Sequence, residues 1–192
     1  TLTVIPDTEP PVLTSGPNAE SITSHSTTIT WRTDEPANSI VEFGATSGYG
    51  DTKSSDQLVT NHSVTLTGLK ASSIYHYRVA STDKLGNGPT RSSDNTFTTS
   101  DIVVSLPDKA LDPGSTLLIP VSVSDLSEQD VKSVNMTIHF DADILSATGV
   151  ATDGTIAAAW PSPTYSVSPG QIQVSMSGTT ALNGSGLLLK LQ

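Results

Sequence analysis

Ser133-Val-Asn-Met-Thr-Ile-His-Phe140 alternates without a break: Val134, Met136, Ile138 and Phe140 are apolar, and Asn135, Thr137 and His139 between them are polar. Successive side chains of a β-strand point to opposite faces, so this pattern predicts a strand with one buried face and one wet face. Gln171 to Ser177 repeats it, with Ile172, Val174 and Met176 inward and Gln173, Ser175 and Ser177 outward. Tyr165-Ser-Val167, Pro169-Gly170 and Gln171–Ser177 together read as a hairpin, because a Pro-Gly pair between alternating runs marks a tight turn. Further strands are predicted at 102–106, 115–123, 144–150 and 187–191, with a turn at Asp112-Pro-Gly114 and one helical turn at 155–159.

The first half has the same period. Thr27-Thr-Ile-Thr-Trp-Arg-Thr33 alternates around Ile29 and Trp31, and His62–Thr67 around Val64 and Leu66. Ile74–Ala80 places Tyr75, Tyr77 and Val79 on one face, and Ser39–Gly44 and Thr96–Thr99 complete the series. Gly, Asn and Asp clusters separate the runs at the spacing of a sandwich. No run of ten or more residues has a helical period. The fold class expected is all-β, with two tandem β-sandwiches meeting near residues 99–101, one domain at 1–99 and the other at 100–192. The boundary has no Gly/Ser or Pro tract, so a long flexible tether is not expected.

Composition narrows the function. The chain has 192 residues and a formal net charge of −10. Residues 1–100 hold six basic and ten acidic groups, and residues 101–192 three and nine. Without a basic patch, neither nucleic acid nor an anionic membrane surface is an expected partner. No apolar run approaches the roughly 20 residues of a membrane-spanning helix, so membrane insertion is not expected. With no cysteine, disulfides, zinc–thiolate centres and cysteine nucleophiles are excluded. The extended stretches Thr1-Leu-Thr-Val-Ile-Pro6 and Leu187–Gln192 read as cuts through a longer polypeptide.

Two resemblances follow from motifs. Trp31 in a second strand, Leu66-Thr-Gly-Leu69 and Ser73-Ile-Tyr-His-Tyr-Arg-Val79 together resemble the fibronectin type III family, an immunoglobulin-like sandwich. The resemblance makes Trp31 a core residue and Tyr75 the corner tyrosine whose hydroxyl bonds to nearby backbone. Val41-Glu-Phe-Gly44 and His62–Leu69 are most similar to the variant that precedes purple acid phosphatase catalytic domains. The second half resembles the cohesins, jelly-roll modules that bind dockerins. Asp112-Pro-Gly-Ser-Thr-Leu-Leu-Ile-Pro-Val-Ser-Val123, Val134–Leu145, Ser168–Val174 and Ala181–Leu191 carry that family's motifs in order. Cohesins continue past the point corresponding to Gln192 into a strand that pairs with the first. The resemblance therefore implies an open edge near Ile102–Leu106 and, from it, an edge-strand dimer.

The cohesin resemblance implies a non-catalytic, extracellular or cell-surface, prokaryotic role, with a dockerin-like module as protein partner and the fibronectin-like module as spacer. It places partner contacts on Ser133, Asn135 and Thr137, extended by His139, Gln173 and Ser175. Trp160-Pro-Ser-Pro-Thr-Tyr165 raises a carbohydrate-binding alternative, in which Trp160 and Tyr165 would stack on polysaccharide. Against it stands the reading of Trp160 as an anchor for its own loop. A third reading makes the chain an accessory part of a secreted hydrolase.

Catalysis has little support. No G-x-S-x-G elbow and no clustered His/Asp motif occurs. His25, His62, His76 and His139 are isolated and read as surface or strand-face residues. Asp34/Glu35 and Asp141/Asp143 lack a calcium-loop sequence and read as turn formers. No metal and no cofactor is expected. Asn61, Asn135 and Asn183 open Asn-x-Ser/Thr sequons.

Overall fold

The computed structural model describes residues 6–110 and 112–192; the extended reading of Thr1–Ile5 lies outside them. The chain separates into two compact units, one ending at Asp101 and the other beginning at Ile102. Both are built of antiparallel strands, and no helix among the described residues is long and apolar enough to cross a membrane.

The first unit holds β1 (Leu13–Glu20), β2 (Thr27–Gly44), β3 (Asp51–Leu66), β4 (Ile74–Ser81), β5 (Thr90–Arg91) and β6 (Asn95–Thr98). β2 and β3 are long because each serves both layers of the sandwich. Thr27–Arg32 pairs with β1 and with Asn61–Leu66, whereas Ala37–Phe43 pairs with Asp51–Val59 and Ile40–Gly44 with β4. The register slips between Arg32 and Ala37. Pro36 lies in that interval, and a residue with no N–H to give the ladder fits a bulge. The two runs predicted at 27–33 and 39–44 are thus one strand that bends. Alternation survives the bend: Thr27, Ile29, Trp31, Thr33, Ala37, Ser39 and Val41 are all buried. Ile29, Trp31, Val64 and Leu66 meet Val41, Tyr77, Val79 and Phe97 in one core. The Lys70 amide donates to the Tyr75 hydroxyl at 3.0 Å, the corner bond that the fibronectin type III resemblance implies.

His62 departs from expectation. The sequence pattern predicts a surface or strand-face residue, but it is 2% exposed and its ring stacks on Trp31 at 4.6 Å between centroids. The inward phase of β3 carries it into the core with Val64 and Leu66. Both ring nitrogens are satisfied, Nε2 by the Thr33 hydroxyl at 2.9 Å and Nδ1 by the Ser39 hydroxyl at 2.8 Å. Thr33 donates its single proton to the Glu35 carbonyl at 2.7 Å, so Nε2 must be the donor toward Thr33. Nδ1 then accepts from Ser39. The neutral ring therefore ties together the two ends of the β2 bend.

The second unit has two sheets. One runs β10 (Val150–Ala151), β13 (Gly186–Leu191), β8 (Ile119–Val123), β7 (Val104–Ser105); the other runs β11 (Thr164–Ser168), β12 (Gln171–Ser177), β9 (Ser133–His139). Val121, Val123, Leu188, Leu189 and Leu191 of the first face Ile172, Val174 and Met176 of the second. Burying each such side chain stabilises by about 1.5–3 kcal/mol. Pro169 and Gly170 (φ 76°) form the β11–β12 turn, where only glycine takes that angle without strain. Three predicted strands are shorter than expected: 104–105 in place of 102–106, 119–123 in place of 115–123, and 150–151 in place of 144–150. β8 and β10 stop where β13 does, since Ile119 and Val150 both pair with Leu191, whereas β7 pairs only with Val123 and Ser122 and leaves β8 before that strand ends. Asp141–Leu145 instead closes a turn, with the Leu145 amide on the Asp141 carbonyl at 2.8 Å. Among the described residues no strand pairs with the outer edge of β7 or of β9.

Two predictions follow from the first unit. Tyr75→Phe removes the corner bond and should lower stability by about 0.5–1.5 kcal/mol in urea denaturation. Burial holds the His62 pKa below its usual value of 6.5. The unfolded chain then binds the proton first as pH falls below about 6.5, and stability is lost at no more than about 1.4 kcal/mol per pH unit until the folded-state pKa is reached. Comparing parent and His62→Gln between about pH 7 and pH 5 isolates this effect, because carboxylates titrate lower. Equal slopes would contradict it.

Candidate functional site

The outward face of the β11–β12–β9 sheet is the candidate. Seven backbone-paired positions align β12 with β9, putting Ser177 beside Ser133, Ser175 beside Asn135, Gln173 beside Thr137 and Gln171 beside His139. On the other side of β12, Thr164, Ser166 and Ser168 of β11 continue the rows. Directly paired residues share a face, so the structure brings Ser133, Asn135, Thr137, His139, Gln173 and Ser175 onto one surface. All six are exposed. β11 adds three hydroxyls that sequence reading passed over, because its short run showed the hairpin but not its outward row.

The chemistry of this face is uniform. It carries hydroxyls, amides and one imidazole, and no carboxylate, ammonium or guanidinium, on a chain whose net charge is −10. The Ser175 hydroxyl donates to Asn135 Oδ1 at 2.6 Å. That bond occupies the amide oxygen and leaves the NH2 group of this exposed residue without a partner among the described residues. A flat surface of this kind can exchange hydrogen bonds with a partner without desolvating a charge.

Trp160 and Tyr165 are not brought together. Trp160 is 8% exposed, its Nε1 donates to the Thr180 carbonyl at 2.8 Å, and its ring fills the space that a Cβ on Gly178 would need. These contacts favour the loop-anchor reading, since one ring face is closed by Gly178. Tyr165 is 47% exposed on edge strand β11, with its hydroxyl 3.4 Å from the Thr148 carbonyl it bonds. Beside Trp160 lies a cleft of about 750 Å3 between the Ile156–Pro161 turn and the Ser177–Asn183 loop, and Tyr165 does not line it.

Titratable groups gather in the first unit. Glu42 accepts from Arg78 and lies 3.6 Å from Arg91, and the Arg78 hydrogen bond holds its carboxyl below the usual range. Asp94 is paired with His76 at 2.7 Å and accepts from Tyr49 at 3.1 Å, and the His76 bond lowers its pKa. Arg78 lies over the Tyr49 ring. These partners come from strands and loops distant in sequence, so no local spacing announced them. Asp7, Glu35 and Asp83 bring carboxylate oxygens within 4.8 Å of one another. Asp83 is spent on the amides of Leu85 and Asn87 and on the Asn87 side chain, which makes it a loop lock. Burial and the charges of Asp7, Asp83 and Asp34 raise the Glu35 pKa. Asp141 accepts from the Asp143 amide, as a turn former does; Asp34 does not act as one, since it lies within β2 and accepts from the amide of Val12, distant in sequence.

Comparison with known proteins divides at the same place as the structure. Residues 17–99 match the model of the purple acid phosphatase N-terminal domain, and residues 102–192 match that of the cohesin domain. No curated protein matches the chain. Among solved structures, the chain is similar to the solution structure of a fibronectin type III domain derived from human KIAA0970 protein, at 26% identity and a TM-score of 0.35, over 56% of this chain and 85% of that one. Modules of both matched families are typically non-catalytic. The chain is a tandem of two all-β modules, the first matching the fibronectin type III-like N-terminal domain of purple acid phosphatases over residues 17–99 and the second matching the cohesin domain over residues 102–192.

Proposed function

We propose that the second module docks a dockerin-type protein through the outward face of β9 and β12, and that the first module spaces and orients it on a prokaryotic extracellular or cell-surface protein. A cohesin domain is a protein-docking module, typically of extracellular or cell-surface proteins. The observation that carries the reading to particular residues is the uncharged, hydrogen-bonding face of Ser133, Asn135, Thr137, His139, Gln173 and Ser175. Polar contacts of this kind give specificity through geometry, because an unmatched partner leaves buried donors unsatisfied. In this reading the chain carries out no reaction and needs no cofactor of its own.

Calorimetric titration of the intact chain with calcium-loaded dockerin modules from the source organism tests it. A saturable complex is expected, lost on chelation because a dockerin folds around its metal. Asn135→Arg with Thr137→Arg should weaken it at least about a hundredfold by burying unpaired charge at the contact. Arg78→Ala, in the other unit, should leave it unchanged. Failure of every such dockerin to bind, or indifference to the double variant, would overturn the assignment.

A second reading, self-pairing through β7, is favoured by its free edge and by the exposure of Val103, Val104 and Leu106 at 55, 50 and 45%. Light scattering should then give a mass that rises to the dimer with concentration, and Val104→Lys should abolish the rise. A constant monomer mass would count against it.

A further inference from the structure

We propose that the cleft beside Trp160 is a binding site for a neutral saccharide, bordering the β12 face at Ser177 but using none of the six proposed docking residues, and independent of the docking reading. Its volume of about 750 Å3 lies within the roughly 300–1,000 Å3 of small-ligand sites. The buried lining residues Trp160 and Leu182, with half-buried Ile156, make an apolar floor. The exposed Thr179, Thr180 and Asn183 make a polar rim. No lining residue is ionisable, although the chain carries 28 Asp, Glu, Lys and Arg residues (19 acidic and 9 basic). Among the described residues, the side chains of Thr179, Thr180 and Asn183 spend no hydrogen bond.

Two hydroxyls and one amide with unused capacity, set over an apolar floor, suit a ligand that is polar at its edges and apolar on one face. A neutral sugar ring has that form, with hydroxyls around its rim and C–H groups on its face. A charged ligand would lose its hydration without gaining a counter-charge, and a purely apolar one would strip water from the rim without replacing its hydrogen bonds. The floor is held ready for occupation. Trp160 is fixed by its bond to the Thr180 carbonyl and by close packing on Gly178, so binding requires little ordering of the site. The site differs from stacking on an exposed Trp160–Tyr165 pair, since Tyr165 takes no part.

The test is nuclear magnetic resonance titration of the intact 15N-labelled chain with cellobiose, maltose, lactose and chitobiose as probes. At least one should produce saturable shifts in the Trp160 indole N–H and the amides of Thr179 to Asn183. The Trp31 indole, bonded to Ser81 in the other unit, should stay still and serves as internal reference. Thr179→Val with Asn183→Leu removes two rim groups at exposed positions and should weaken binding about tenfold. Ala159→Leu, at another exposed lining position, should weaken it by occupying the cleft. Retained spectral dispersion verifies that both variants fold. Absence of saturable shifts with all four sugars would overturn the proposal. So would equal affinity in both variants, or shifts of equal size at Trp31.

Discussion

The pleat of the strand is the constraint on which both modules depend. Val134, Met136 and Ile138 can reach the core only if Asn135 and Thr137 stand on the opposite side. A slip of one residue in the β9–β12 register would expose the apolar row and bury the polar one, so the core fixes the register. The spacing of the outer groups is therefore inherited from packing on the inner side. The same rule governs β2, where buried positions stay in phase from Thr27 to Val41 across the bend, although the strand changes partners on the way.

Charge is distributed with equal economy. Arg78, Arg91, Glu42, His76 and Asp94 answer one another on the sheet of the first module, and Lys190 answers Asp153 in the second. Such partly exposed pairs contribute little to stability. Their arrangement nonetheless leaves the β9–β12 face free of formal charge. The excess of acid on the chain keeps it soluble without a carboxylate at the proposed contact.

Local pattern made the core legible. Ile29, Trp31, Tyr77 and Val79, and Ile172, Val174 and Met176, could be assigned to the interior from alternation alone, and the family motif identified the bond at Tyr75. What could not be read depended on partners distant in sequence. His62 looks like any polar residue at a strand start until Thr33 and Ser39 meet it across the bend. Leu13–Glu20 has no alternation, with Gly16 and Pro17 in its middle, and is a strand because β2 offers it an edge. Trp160 in a Pro-rich loop resembles an exposed platform, and only the loop at Gly178–Thr180, folding back over it, makes it mostly buried. The docking face was legible in β9 and β12 because their inner rows are so regular. The acidic group of Asp7, Glu35 and Asp83 was not, because its members are separated by most of the first module.

The bond from Ser175 to Asn135 has a practical consequence. Asn135-Met136-Thr137 is an acceptor sequence for N-linked glycosylation, and the serine holds Oδ1, so Nδ2, the atom to which a sugar would be joined, is left unbonded on an exposed residue. Material secreted from a eukaryotic cell would offer that nitrogen to the glycosylation machinery, and a glycan there would stand in the middle of the β9–β12 surface. Protein made in a bacterial cytoplasm would keep the surface bare. The choice of expression host thus decides which of two chemically different surfaces a binding assay interrogates.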